Sequence, residues 1–334
     1  MTERWLAVAR VPSIRSARAL ALTIACVTFV AAVAASSREV SYCGGGKPLQ
    51  PAEVQEVAPG VFVRQGRHEL MTAGNQGGIA NIGFIVGRDA VAVVDTGGSA
   101  CDGARLRTAI AIRTKLPIRY VINTHVHPDH IFGNVAFRAD GPEFIGQERL
   151  PRALAQRGEH YLSANRRLMG EQTLEGTEII GPKTTVADER LLDLGERQLL
   201  LTAHEVSHTD NDLTVLDVTT RTLWSGDLIF VGHTPVVDGS LLGLLAVGDK
   251  LGALEPARVV PGHGPAAITW PDVIAPQQRY LEKLASDLRQ FIKDGRTMSD
   301  AVAHAAQAER GSWQLFDEFN PRNATAGFAE LEWE

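Results

Sequence analysis

The chain has 334 residues, 44% of them hydrophobic and 22% charged, with a formal net charge of −6. That length and apolar content allow a large buried core and exclude a disordered or low-complexity protein. The acidic balance gives no electrostatic footprint for nucleic acid or an anionic membrane surface.

At the N-terminus, Arg4, Arg10, Arg15 and Arg18 form a basic region around the start of an apolar run, residues 19–35. The run ends in small residues, Ala32-Val33-Ala34 or Val33-Ala34-Ala35. This is the pattern of a secretory signal peptide over residues 1–35, cleaved near Ala34 or Ala35, and it predicts a periplasmic or secreted protein. The alternative is an uncleaved anchor, since the run is near the short limit of a ~20-residue span; no other segment implies a membrane. Cys26 lies inside the run, but Thr23 stands where a lipoprotein signal has Leu. Removal of residues 1–35 would take the net charge to about −9. Residues 36–52 read as a mobile lead-in. Cys43 and Cys101 then remain; in an oxidising compartment they either pair or stay as two thiols.

From residue 53 onward strands and helices are mixed. Strands are predicted at 60–63, 81–86, 90–95, 118–123, 143–145, 190–194, 198–202, 213–218 and 222–225, and helices at 101–115, 149–168, 241–254 and 271–293. In the last helix, Tyr280, Leu281, Leu284, Leu288, Phe291 and Ile292 fall at helical spacing and read as core packing. This order suits an α/β (α+β) domain of two sheets packed face to face with helices outside. The core is expected over 53–270, with 271–334 a C-terminal helical segment packed on it.

Thr124-His125-Val126-His127-Pro128-Asp129-His130 follows the apolar run at 118–122. Residues two apart in extended chain face one way, so His125 and His127 can grip one cation. Pro128 turns the chain, and Asp129 and His130 then reach a second cation beside the first. Three later segments repeat one logic, an apolar run and then a ligand: His208 after Leu199-Leu200-Leu201, Asp227 after Ser225-Gly226, and His263 after Pro261-Gly262. Together the seven residues give three His for one ion and Asp-His-His for the other, with one carboxylate able to bridge.

The order HxHxDH, His, Asp, His over roughly residues 55–265 resembles the metallo-β-lactamase superfamily, as does the Asp95-Thr96-Gly97-Gly98 turn after Val91-Ala92-Val93-Val94. The resemblance implies the αββα sandwich, with His125, His127 and His208 on the first ion, Asp129, His130 and His263 on the second, and Asp227 as the bridging carboxylate. It favours His208, in its His-Thr pair, over His204 as ligand. Asp227 stands where the best-known zinc lactamases carry Cys, and the set looks instead like that of glyoxalase II, though no match to its glutathione-holding basic residues is evident. His208-Thr209-Asp210-Asn211-Asp212, Gly226-Asp227-Leu228-Ile229-Phe230, Pro235-Val236-Val237-Asp238-Gly239-Ser240 and Pro261-Gly262-His263-Gly264-Pro265 look most like the SoxH-like quinoprotein relay system zinc metallohydrolases. That likeness implies an exported hydrolase serving a periplasmic quinoprotein dehydrogenase system.

The implied chemistry uses two Zn²⁺ ions, with iron or manganese as alternatives of similar ligand taste. A metal-bridging hydroxide attacks an ester, thioester or lactone carbonyl of a small-molecule substrate, and Asp129 orients it and takes its proton. Asp95 and Asp212 are candidates to hold ligand histidines through their free N–H groups. His233, Asp238 and Ser240 are candidates to touch substrate. His204 reads as flanking the ligands or as surface, and His68, His160 and His304 as solvated. Three other readings compete. A β-lactamase would turn over nitrocefin. A mononuclear iron persulfide dioxygenase, using His125, His208 and Asp227, would consume oxygen, and the full second site argues against it. A non-catalytic metal-binding accessory protein would hydrolyse nothing and copurify with a dehydrogenase.

Overall fold

The structure is a computed structural model that describes Cys43 and residues 48–334. The expected signal peptide, Cys26 and most of the lead-in lie outside the described residues.

Two sheets form the centre. The first has seven strands in the order β1-β2-β3-β4-β5-β6-β7: Gln55–Ala58, Val61–Arg64, Ile82–Val86, Val91–Val94, Ile118–Ile122, Glu143–Gln147 and Thr184–Val186. Its early pairs are antiparallel, and β4-β5, β5-β6 and β6-β7 are parallel. The second has six strands in the order β13-β12-β11-β10-β9-β8: Ile268–Thr269, Arg258–His263, Thr222–Phe230, Leu213–Asp217, Gln198–Ala203 and Glu189–Asp193. Within it only β11-β12 is parallel.

Period-two alternation decides which face each side chain meets. Ala92 and Val94 of β4 point between the sheets and meet Val215, Trp224 and Val260 from the second sheet. Val91 and Val93 point outward onto α1, Ala100–Arg113, and onto a 3₁₀ helix, Phe132–Asp140. On the second sheet Trp224 and Val260 turn inward, while Leu223 and Val259 turn outward. That outer face is covered by α4, Leu241–Ala253, α5, Ile274–Lys293, α6, Met298–His304, and α7, Phe316–Leu331. Two further helices are α2, the single turn Pro128–Ile131, and α3, the 20-residue Leu150–Met169. The result is two mixed sheets sandwiched between helical layers, as expected from the sequence.

Tyr280, Leu281, Leu284 and Leu288 are wholly buried against that second sheet, while Phe291 and Ile292 are half-buried beside them. Among the described residues no helix is long and apolar enough to cross a membrane. Cys43 and Cys101 are joined by a disulfide, Cα atoms 5.1 Å apart, tying the start of the described chain to the second residue of α1.

Parallel pairing places the site. Strands running the same way end on the same edge, and there ligands gather in open α/β sheets. Val94 and Ile122 are register partners, so Asp95 and the His125 segment leave the first sheet side by side. Phe230 and His263 are partners across β11 and β12. Leu213 N–H donates to Thr124 O at 2.8 Å, and Asn81 N–H to Gly262 O at 2.7 Å. These two bonds pin the edges of the sheets together around the cluster.

Candidate metal centre

Pro128 occupies the first turn of α2, where its missing N–H costs nothing, and His127 precedes it in extended backbone. The chain reverses there, so His125 and His127 lie before the turn and Asp129 and His130 within it. Asp227 reaches the cluster by another device. The register of β11 against β12 shifts on both sides of Gly226, which has φ 51°. A Cβ on Gly226 would lie 2.7 Å from Thr124 Cβ and Oγ1. The irregularity turns the strand and aims the next side chain inward.

All seven expected ligands converge. Donor atoms of His125, His127, His208 and Asp227 lie within 4.8 Å of one another, as do those of Asp129, His130 and His263. Asp227 joins the two groups: one oxygen is 3.2 Å from His130 Nε2, and the other is 3.4 Å from both His208 Nε2 and His263 Nε2.

The outer nitrogens fix the tautomers. His208 Nδ1–H donates to Val236 O at 2.8 Å, and His130 Nδ1–H to Asp95 Oδ2 at 2.7 Å. His127 Nε2–H faces Asp238 Oδ2 at 3.3 Å. Thr124 Oγ1 gives its proton to Asp95 Oδ2, so at 3.0 Å it accepts from His125 Nδ1–H. Each of these four imidazoles, when neutral, therefore turns a bare lone pair inward. Between His125, His127 and His208 those inner nitrogens sit only 3.0–3.3 Å apart. Facing lone pairs at that distance repel unless a cation lies among them. His130 Nε2 and Asp227 Oδ1 are sealed from water and lack a hydrogen-bond partner. The donor set thus fits two cations, in keeping with His and carboxylate ligation.

Electrostatics agree. Burial lowers the basicity of His125, helped by His130, and takes the pKa of His208 down to about 4. Burial also opposes a charge on His130 and His263. Asp227 and the neighbouring carboxylates outweigh it, raising His130 well above its ordinary range and His263 to about 9. Burial favours a neutral Asp227, but the surrounding imidazoles hold it well below the carboxylate range; His130 and His263 likewise hold Asp129 at about 2. The carboxylates demand positive charge, which bound cations supply in competition with protons.

Around the ligands the candidates separate. Asp95, at φ 53°, accepts from Thr124 N and Oγ1 and from His130, so it holds one ligand directly and braces a second through Thr124. The Asp212 carboxylate makes no hydrogen bond to a histidine: it accepts from Thr209 N at 2.8 Å and Thr209 Oγ1 at 2.6 Å and shapes the turn carrying His208, and burial raises its pKa to about 7. Ser240 caps α4, accepting from Gly243 N and donating to Glu330. His233 is buried, its ring 4.8 Å from that of His263 and 5.0 Å from that of Phe319. It supports the ligand from behind.

His204 is buried on Thr214 Oγ1 at 2.9 Å and belongs to neither ligand group. His68, expected in solvent, is half-buried against His233 and Gln314. Sequence reading also passed over Arg157 and Tyr161. They sit one turn apart on α3, with Arg157 bonded to Asp238 at 2.9 Å and the Tyr161 ring 6.1 Å from that of His127. Their spacing of four places them on one helix face, but no motif marked that face.

Two expectations follow. Asp238 takes the outer N–H of His127 and is itself held by Arg157, so Asp238→Asn should weaken metal affinity about 10-fold, within the range for partners of ligands; metal titration against a chelator measures it, and an unchanged affinity would remove Asp238 from the site. His204 is buried in neutral form, with its pKa lowered to about 4 by burial and then by Lys250. The unfolded chain therefore binds the extra proton first, and this share of stability, present above pH 6.5, is lost as pH falls toward 4. Urea unfolding of the wild type should lose up to about 3 kcal/mol more than His204→Gln over that window, with metal content equal in the two.

A two-sheet α/β sandwich with a histidine-aspartate cluster at the strand ends defines a class of metal-binding domains. A model of the metallo-beta-lactamase superfamily matches residues 75–263, and the chain belongs to that superfamily. No curated protein matches it in sequence. Solved structures share its fold. They include a metallo-beta-lactamase from Pontibacter korlensis (18% identity, 69% of this chain and 98% of that one, TM-score 0.56). A metallo-beta-lactamase from Hirschia baltica is similar (19% identity, 70% and 98%, TM-score 0.54), as is TMB-1 (18% identity, 70% and 98%, TM-score 0.53).

Proposed function

We propose that the protein is a binuclear zinc-dependent hydrolase that cleaves an ester, thioester or lactone, exported to the periplasm and serving a quinoprotein oxidation system of the SoxH-like kind. The observation that carries the hydrolase reading is the set of inward lone pairs, with Asp227 shared between two ligand groups. Two cations bound there would sharpen a water into a nucleophile near neutral pH and withdraw charge from a carbonyl.

The chain's own groups do the rest. Asp129, held ionised beside His130 and His263, is the carboxylate able to accept a proton and to orient the attacking water. Asp95 and the Val236 carbonyl lock His130 and His208 so that the donors need not reorganise. An aspartate oxygen at position 227, where zinc lactamases of the best-known kind have a thiolate, favours esters and thioesters over lactams.

Metal quantification on purified protein, run beside a panel of thioesters, lactones and β-lactams, tests this reading. The expected result is two zinc ions per chain and turnover of a thioester or lactone. A folded protein that takes up no transition metal would end the reading. Nitrocefin turnover above every ester would replace it with a lactamase, and bound iron with oxygen uptake would replace it with a dioxygenase. Mass measurement of the exported chain tests cleavage near Ala34 or Ala35, and copurification tests the dehydrogenase partner.

A further inference from the structure

A cavity of about 580 Å³ lies away from the metal ligands, between β1, β2, the Gly74–Gly78 loop and the first turns of α1. None of the seven ligand residues lines it, but three arginines do: Arg64, Arg67 and Arg105. We propose that it binds a small multivalent oxyanion, gripped by Arg67 and Arg105 with Arg64 forming the back wall.

The three guanidinium groups differ in what they already hold. Arg64 is buried; its Nη1 donates to Ala80 O at 2.9 Å and its Nη2 pairs with Asp102. The same Asp102 oxygen also accepts from Gly98 N at 3.3 Å, so its charge is spent on the wall itself. Arg67 and Arg105 have no ion-pair partner among the described residues, and Arg105 Nε is closed off from water without an acceptor. Glu53, the other carboxylate on the lining, pairs with none of the three.

The cavity therefore carries an excess of positive charge in a chain whose net charge is −6. A guanidinium N–H shut away without an acceptor is unfavourable; Arg64 and Arg105 each carry an Nε in that state, and with Arg67 beside them the cavity is built for a counter-charge. Planar, forked donors match carboxylate and phosphoryl oxygens two at a time. The volume suits a small molecule.

The test is titration calorimetry on the full metal-loaded protein with two probes, inorganic phosphate and tricarballylate, which separate phosphoryl from carboxylate ligands. Binding of either is expected, and which one binds names the source. Arg67→Gln and Arg105→Gln should each weaken it by about tenfold or more, and Arg105→Lys, which keeps the charge and loses the fork, should fall between. Asp227→Asn should leave it unchanged, because the anion is not held on the metals. No heat from either probe at about 10 mM, or binding abolished by Asp227→Asn and retained in the arginine variants, would overturn the proposal.

Discussion

In Asp227→Asn, metal content and hydrolysis should fall together, with activity down by at least about 10³-fold. Partners of ligands already cost about 10–100-fold when lost, and Asp227 contacts His125, His130, His208 and His263 at once. The amide is nearly isosteric, so any loss reflects charge and ligation more than shape. Thermal unfolding with and without zinc provides an independent readout. The wild type should be stabilised by zinc through binding to the folded state alone, and the variant should not. A variant that retains both metal ions and turnover would show that Asp227 is not the bridge.

Gly262→Ala should damage the centre without touching a ligand atom chemically. A Cβ at this position would sit 1.9 Å from Asp227 Oδ1, 2.8 Å from Gly226 C and 2.9 Å from Asp227 N. Two of those three atoms are backbone, so the strands β11 and β12 must separate where they carry Asp227 and His263. Overpacking of this kind costs about 1–3 kcal/mol, and a displacement near 1 Å at a reacting centre costs about 10²-fold in rate. Urea midpoint, metal content and turnover should all fall. Gly311→Ala serves as the control, because a Cβ there meets nothing within 4 Å. Equal behaviour of the two variants would contradict the close approach of the strands.

The ligands were legible because metal coordination restricts residue type and because each ligand follows an apolar strand. His125 to His130 declared themselves by crowding, and His208, Asp227 and His263 by position after a run of buried residues. Buried strands such as β4, β5 and β10 were readable for a related reason: Val91–Val94, Ile118–Ile122 and Leu213–Asp217 are mainly apolar. The edge strands β1, β7 and β13 and the helices α6 and α7 were not marked out individually, since two to four residues without a continuous apolar run, or a weak apolar stripe, give no pattern to detect. The roles of Ser240 and Asp212 were not legible for a physical reason. Serine and aspartate cap helices and close turns with the same oxygens that would meet a substrate or a ligand histidine. Only the partner distinguishes the roles, and here the partners are Gly243 and Thr209.

By itself, the sequence marked out the candidate ligands and the alternation that separates inner from outer sheet faces. Both are local properties, written in residue type and spacing. Tertiary structure alone decided what surrounds them: that Arg157 and Tyr161 face His127, that His68 and Gln314 back His233, and that three arginines enclose one cavity. Those juxtapositions depend on how helices and loops distant in sequence pack on the sandwich, and side-chain packing between remote segments leaves no periodic trace in the chain.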